Sequence, residues 1–106
     1  MPVHNIRTED EFRQAIADNK IVIVDFFATE CEGSKTLAPI FVEQSNRSDH
    51  KHFLFAKVDV DELSALAGES GVRDTPTFHL YKNGKKESES VEPGPQALLQ
   101  FIADAQ

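Results

Sequence analysis

The sequence predicts an α/β protein in which one mixed β-sheet is covered by helices on both faces. Three observations carry that expectation. Residues 21–28 and 53–60 are nearly unbroken apolar runs of strand length, the pattern of strands buried on both sides. Apolar residues at helical spacing precede, separate and follow those runs. Near the C-terminal end, Asn83-Gly84 lies between two strand-like stretches and signals a tight hairpin.

Taken in order, the elements read β α β α β α β β α. Residues 3–6 suit a short edge strand. Thr8-Glu9-Asp10-Glu11 has the form of a capping box, a hydroxyl at the N-cap and a carboxylate three residues on. Phe12, Ala15 and Ile16 continue that helix at the right spacing to about Asp18. The run 21–28 comes next and is interrupted by Asp25. A carboxyl group there must be hydrogen-bonded, reached by water through a cleft, or protonated.

From Gly33 to about Arg47, the residues Leu37, Ile40 and Phe41 define a second amphipathic helix. Pro39 is expected to kink it, because the ring removes a backbone bond and crowds the preceding turn. Residues 48–52, with His50 and His52, suit a solvated polar loop rather than a metal site, since no other ligands cluster with them. His4 and His79 stand isolated in the sequence.

The run 53–60 is a second buried strand, with Lys57 as its charged intruder. Residues 62–69 carry Leu63, Leu66 and Ala67 on one face of a short helix. Asp74-Thr75-Pro76 then punctuates the chain before a strand at 77–81. The hairpin leads to residues 86–91, whose Glu87, Ser88, Glu89 and Ser90 suit an edge strand. Pro93-Gly94-Pro95 precedes a last helix with Leu98, Phe101, Ile102 and Ala105 facing inward.

A length of 106 residues suits a single domain, 1–106, with one modest core. The net charge of −7 disfavours nucleic acid and anionic membranes as partners. No apolar run approaches the roughly 20 residues of a membrane span, and the first residues lack the pattern of a signal peptide. The single cysteine, Cys31, excludes an intramolecular disulfide and fits a reducing compartment, so a cytoplasmic location is expected. A monomer is expected, with a Cys31-linked dimer or a mixed disulfide as the cross-links still open.

Several pieces, in order and at their spacing, resemble the eukaryotic cytosolic thioredoxins over almost the whole chain. They are residues 24–29 (Val-Asp-Phe-Phe-Ala-Thr), Cys31 after that strand, residues 55–61 (Phe-Ala-Lys-Val-Asp-Val-Asp), Gly71-Val72, Pro76-Thr77-Phe78 and Tyr81-Lys82-Asn83-Gly84. The resemblance implies the thioredoxin fold, thiol–disulfide chemistry and no resident cofactor. The departures cluster on the surface that would face substrate. Glu30-Cys31-Glu32-Gly33-Ser34 stands where the family has Trp-Cys-Gly-Pro-Cys, Phe27 stands where it has tryptophan, and Glu92 stands where it has glycine after the last strand.

The resemblance makes Cys31 a nucleophile at a helix N-terminus, where unpaired N–H groups and the helix dipole favour a thiolate. A thiolate attacks a disulfide and forms a mixed disulfide. Ser34 cannot resolve that adduct, since an alcohol is scarcely ionised near neutrality. An external thiol must do so, with glutathione as a candidate co-substrate and protein disulfides or thiols as partners.

Asp25 matches the family's buried carboxylate, with Lys57 as its candidate partner, although both also read as inherited structure. Pro76 resembles the family's cis-proline, which would present the Thr75 backbone to an extended substrate. Glu30, Glu32, Gly33, Thr75, Pro76 and Glu92 are the candidate substrate-facing residues. Glu30 and Glu32 are expected to oppose the thiolate together by about one pKa unit, leaving Cys31 less acidic than is usual in the family.

Other readings stay open. The fold could serve as a binding module with little turnover, Ser34 could replace a resolving cysteine, and a Cys-x-x-Ser site could hold an iron–sulfur cluster with glutathione as monothiol glutaredoxins do.

Overall fold

The spine of the protein is β2 (Ile21–Phe27), of which every residue but the last is buried. Its side chains alternate between two apolar layers, which is why its sequence shows a continuous run rather than an alternating one. The structure, a computed structural model, describes residues 3–106. Around β2 stand β1 (Val3–Ile6), β3 (Leu54–Asp59), β4 (Thr77–Lys82) and β5 (Lys85–Val91), in the order β1-β3-β2-β4-β5. The pairs β1/β3 and β2/β3 are parallel; β2/β4 and β4/β5 are antiparallel. The helices are α1 (Glu9–Asp18), α2 (Glu32–Ser45), α3 (Ser64–Glu69) and α4 (Pro95–Ala103).

One face of the sheet packs Ile23, Phe55 and Phe78 against Leu37 and Phe41 of α2 and Leu98 and Ile102 of α4. The other packs Val22, Val24, Phe26 and Val58 against Phe12 of α1 and Leu66 of α3. Along β2 the residues of the second face, Val22, Val24 and Phe26, are two apart, with Ile23 of the first face between them, as a pleated sheet requires.

Local chemistry sets the element ends. The Thr8 hydroxyl accepts from the Glu11 N–H at 3.0 Å and caps α1. Asn83 and Gly84 both take positive φ, 53° and 81°, the geometry of a two-residue hairpin turn with a favourable twist. The third helix begins at Ser64, later than the apolar spacing suggests. The reason is Asp59, whose Oδ1 takes the N–H groups of Asp61 (2.9 Å) and Glu62 (3.3 Å) and holds them in a turn. Pro39 lies inside α2, which continues through it to Ser45.

Two expectations about histidines are corrected. His50 is buried in a 3₁₀ turn, Ser48–His50, with its ring stacked on Phe53 at 5.3 Å between centroids. A flat ring satisfies an aromatic neighbour as well as water, so it leaves the solvent. His79 is wholly buried on β4 beside Phe26, and its Nδ1 meets the Tyr81 hydroxyl at 3.2 Å. It is therefore not isolated. Its Nε2 lies 3.4 Å from Glu89 Oε1 but makes no hydrogen bond, and burial pushes its pKa down to about 4.

Candidate active site

Cys31 is the N-cap residue of α2, reached from the end of β2 through a turn closed by the Cys31 N–H on the Ala28 carbonyl at 3.1 Å. The sulfur is partly exposed. Its thiol donates to the Thr75 carbonyl at 3.2 Å, a contact spanning 44 residues of sequence. The Thr75–Pro76 peptide bond is cis. Pro76 also faces Gly33: a Cβ built on that glycine would come within 3.0 Å of Pro76 Cδ. No larger residue fits there without movement.

The Cys31 pKa lies below its ordinary value. The largest cause is hydrogen bonding from the Thr75 side chain; the Ser34 N–H and hydroxyl and then the Gly33 N–H act the same way, while burial opposes them. The Thr75 carbonyl favours the protonated thiol, so this one residue stabilises both states through different atoms. Glu30 and Glu32 are not among the groups that shift the sulfur, contrary to the expectation from their sequence positions. Both are exposed, and Glu32 is paired with Lys35 at 3.4 Å. Water and a counter-charge weaken their reach.

Ser34 is buried, and its Oγ accepts from the Ala28 N–H at 3.3 Å. That bond ties the start of α2 to the end of β2. Sequence reasoning had not singled out the Ala28 amide, because a backbone donor leaves no mark on the residue type.

Behind Ser34 lies a pocket of about 210 Å³ lined in part by Asp25, Phe27, Thr29, Ser34 and Lys57. Asp25 is 4% exposed and its Oδ1 has no hydrogen-bond partner. Burial pushes its pKa up to about 7, which Lys57 opposes and the Cys31 charge reinforces. Lys57 is the register neighbour of Asp25 across β2/β3. Yet no hydrogen bond or ion pair joins the two among the described residues, and Lys57 Nζ instead stands 5.6 Å from the centre of the Phe27 ring. The expected pairing is thus only a through-space interaction, with the ammonium over the face of the Phe27 ring.

Glu92 joins the site from the end of β5. Its N–H donates to the Pro76 carbonyl at 2.8 Å, its φ is 47°, and its side chain is exposed. Of the residues singled out in the sequence, the fold brings Gly33, Ser34, Thr75 and Pro76 close to the Cys31 sulfur, and Glu92 reaches that group only through its backbone bond to Pro76. Asp25 and Lys57 sit behind the sulfur. Among the described residues no group of three or more His, Cys, Asp or Glu side chains could hold a metal ion. No described helix is long and apolar enough to cross a membrane.

A lone sulfur at a helix N-terminus, backed by a buried carboxyl group and faced by a cis-proline, defines a thiol-exchange site on a five-stranded mixed sheet. The thioredoxin family profile matches residues 3–104. Thioredoxin-1 of Schizosaccharomyces pombe is 44% identical over 96 residues, covering 91% of each chain. A solved Plasmodium falciparum thioredoxin superposes with a TM-score of 0.91 at 35% identity, covering 97% of this chain and 99% of that one. The Malassezia sympodialis thioredoxin superposes equally well, with a TM-score of 0.91 at 38% identity over 99% of this chain and 94% of its own. This chain belongs to the thioredoxin family, a family of thiol–disulfide oxidoreductases that need no cofactor.

Proposed function

We propose that this protein is a monothiol thiol–disulfide exchange protein that works through Cys31 and requires an external thiol to complete a cycle. The observation that carries the reading is the placement of the only cysteine. Cys31 sits at the α2 N-terminus against the Thr75 carbonyl, and the following family cysteine position holds Ser34, tied to the Ala28 N–H.

In the forward step the Cys31 thiolate attacks a protein disulfide. One S–S bond forms as another breaks, and the partner's second sulfur leaves as a thiolate. The Cys31 negative charge disappears in this step. Because that charge contributes to the raised pKa of Asp25, its loss makes Asp25 a stronger acid. Asp25 then releases a proton through the pocket it shares with Ser34, just as the departing thiolate needs one. Lys57 stabilises the ionised carboxylate through space.

In the return step an external thiol such as glutathione attacks the mixed disulfide, and Cys31 leaves as a thiolate held by Thr75 and Ser34. The Thr75-Pro76 segment and Glu30, Glu32, Gly33 and Glu92 line the approach of the partner. A lone cysteine fits a reducing compartment, and we place the protein in the cytoplasm as a single-domain monomer.

The test is a disulfide-exchange assay with and without glutathione on wild type, Cys31→Ser and Ser34→Cys. Turnover that needs glutathione and is lost in Cys31→Ser supports the proposal. Turnover without any added thiol sinks it. Partner capture that persists in Cys31→Ser points instead to a binding module.

A further inference from the structure

The pocket behind Ser34 combines an apolar wall with one unsatisfied polar group. Among its lining residues Asp25 and Ser34 are buried, Phe27 and Ala28 are half-buried, and Thr29 and Ala38 are exposed, so it opens to solvent between β2 and α2. Its volume is about 210 Å³. A protein cavity of roughly 150 Å³ already holds a benzene molecule.

The two buried groups differ in what they leave free. The Ser34 hydroxyl is engaged by the Ala28 N–H and by the Cys31 sulfur. Asp25 is only 4% exposed, and its Oδ1 has no hydrogen-bond partner. A buried oxygen without a donor is costly, and a ligand that brings the donor recovers that cost.

Charge narrows the class of ligand. Lys35 lines the pocket but is paired with Glu32 at 3.4 Å, and Lys57 acts on the Asp25 carboxyl group from over the Phe27 ring. A cation entering here meets two ammonium groups, and an anion meets the Asp25 carboxylate. A neutral molecule meets neither penalty.

We infer that this pocket is a binding site for a small neutral molecule with an apolar body about the size of a benzene ring and one O–H or N–H group. That group donates to the Asp25 carboxyl group while the body packs on Phe27, Ala28 and Ala38. Ser34 lines the pocket and also holds the Cys31 sulfur, so the occupant sits one side chain from the reactive thiol.

The experiment titrates phenol, anisole, benzylammonium and benzoate into the isotope-labelled protein and follows backbone amide shifts by NMR. At pH 8 phenol should give saturable shifts at Phe27, Ala28 and Ser34. Its affinity should exceed that of anisole by about tenfold or more, the usual effect of a hydrogen bond to a charged group. From pH 6 to pH 8 the Asp25 carboxyl group passes through its pKa of about 7 and loses its own proton. Phenol should then bind more tightly, and anisole, which can only accept, less tightly. Besides Lys35 at the rim, the charged groups that act on Asp25 are Lys57, from β3, and Cys31. The same opposite trends in Cys31→Ser assign them to the carboxyl group. In Asp25→Asn, whose amide donates and accepts at every pH, the two probes should bind alike with no pH trend. The inference is overturned by the absence of saturable shifts with phenol, by equal affinities for phenol and anisole in wild type at pH 8, by tighter binding of either charged probe, or by a pH trend that survives in Asp25→Asn.

Discussion

Gly33 and Pro76 approach so closely that a methyl group on the glycine would stand 3.0 Å from the proline Cδ. The first turn of α2 and the segment before β4 are thereby locked at one spacing, with the Cys31 sulfur between them. Gly33→Ala forces Pro76 or the start of α2 to shift. We expect a loss of about 1–3 kcal/mol in stability, the usual range for overpacking, together with slower alkylation of Cys31. Urea unfolding and iodoacetamide kinetics check this; an alanine variant with wild-type values in both would show that the contact yields freely.

Asp25 sets one arm of the pH dependence. Its folded pKa of about 7 lies above the ordinary 3.8, so between those values the native state holds a proton that the unfolded state has released. Stability contributed by Asp25 is therefore lost as pH rises from about 4 to about 7. Asp25→Asn should be more stable than wild type at pH 8 by roughly 2–4 kcal/mol and similar to it at pH 4. Denaturant titrations at the two pH values test the sign.

His79 sets the opposite arm. Its folded pKa of about 4 lies below the ordinary 6.5, so the unfolded state binds the extra proton and stability falls as pH drops from about 6.5 to about 4. The full swing is roughly 3 kcal/mol for a group this buried. Over that window the two arms oppose each other, and the wild-type profile should be shallow. His79→Leu should unmask the Asp25 slope and Asp25→Asn the His79 slope. Parallel profiles for wild type and both variants would refute the pairing.

Glu92 at φ 47° predicts a stabilising substitution. Glycine relieves the steric cost of the left-handed conformation, about 1–2 kcal/mol, but brings back about 0.5–1 kcal/mol of chain entropy. Glu92→Gly should therefore gain about 0.5–1 kcal/mol in thermal or urea unfolding. A loss of stability would mean that the side chain makes contacts worth more than the strain.

Ser34→Ala removes a hydroxyl that lowers the Cys31 pKa and accepts from the Ala28 N–H. We expect the thiol pKa to rise and stability to fall by about 1 kcal/mol, since a part-buried amide loses its partner. Absorbance titration of the thiolate reads the first effect. An unchanged titration would assign the shift to Thr75 and the backbone alone.

Much of the fold was legible in the chain because its signals are local. The Thr8 capping box, the runs around Asp25 and Lys57, and the Asn83-Gly84 turn each act within a few residues. The boundary of α3 was missed because the Asp59 side chain competes with the helix for two N–H groups. His50 and His79 were misplaced because a histidine's polarity does not reveal whether an aromatic neighbour waits for its ring.

By itself the sequence determined that one thiol exists, that it follows a buried strand and opens a helix, and that the chain carries no second thiol to resolve its adducts. Tertiary structure alone decided what surrounds that sulfur. The Thr75 carbonyl, the Pro76 ring and the Glu92 amide arrive from 44 to 61 positions away through strand pairing. Lys57, a register neighbour of Asp25, turns to Phe27 and leaves the carboxyl group bare. The physical reason is that residue type specifies what a group can bond, whereas packing of the sheet and its helices specifies which groups come within a bond's length.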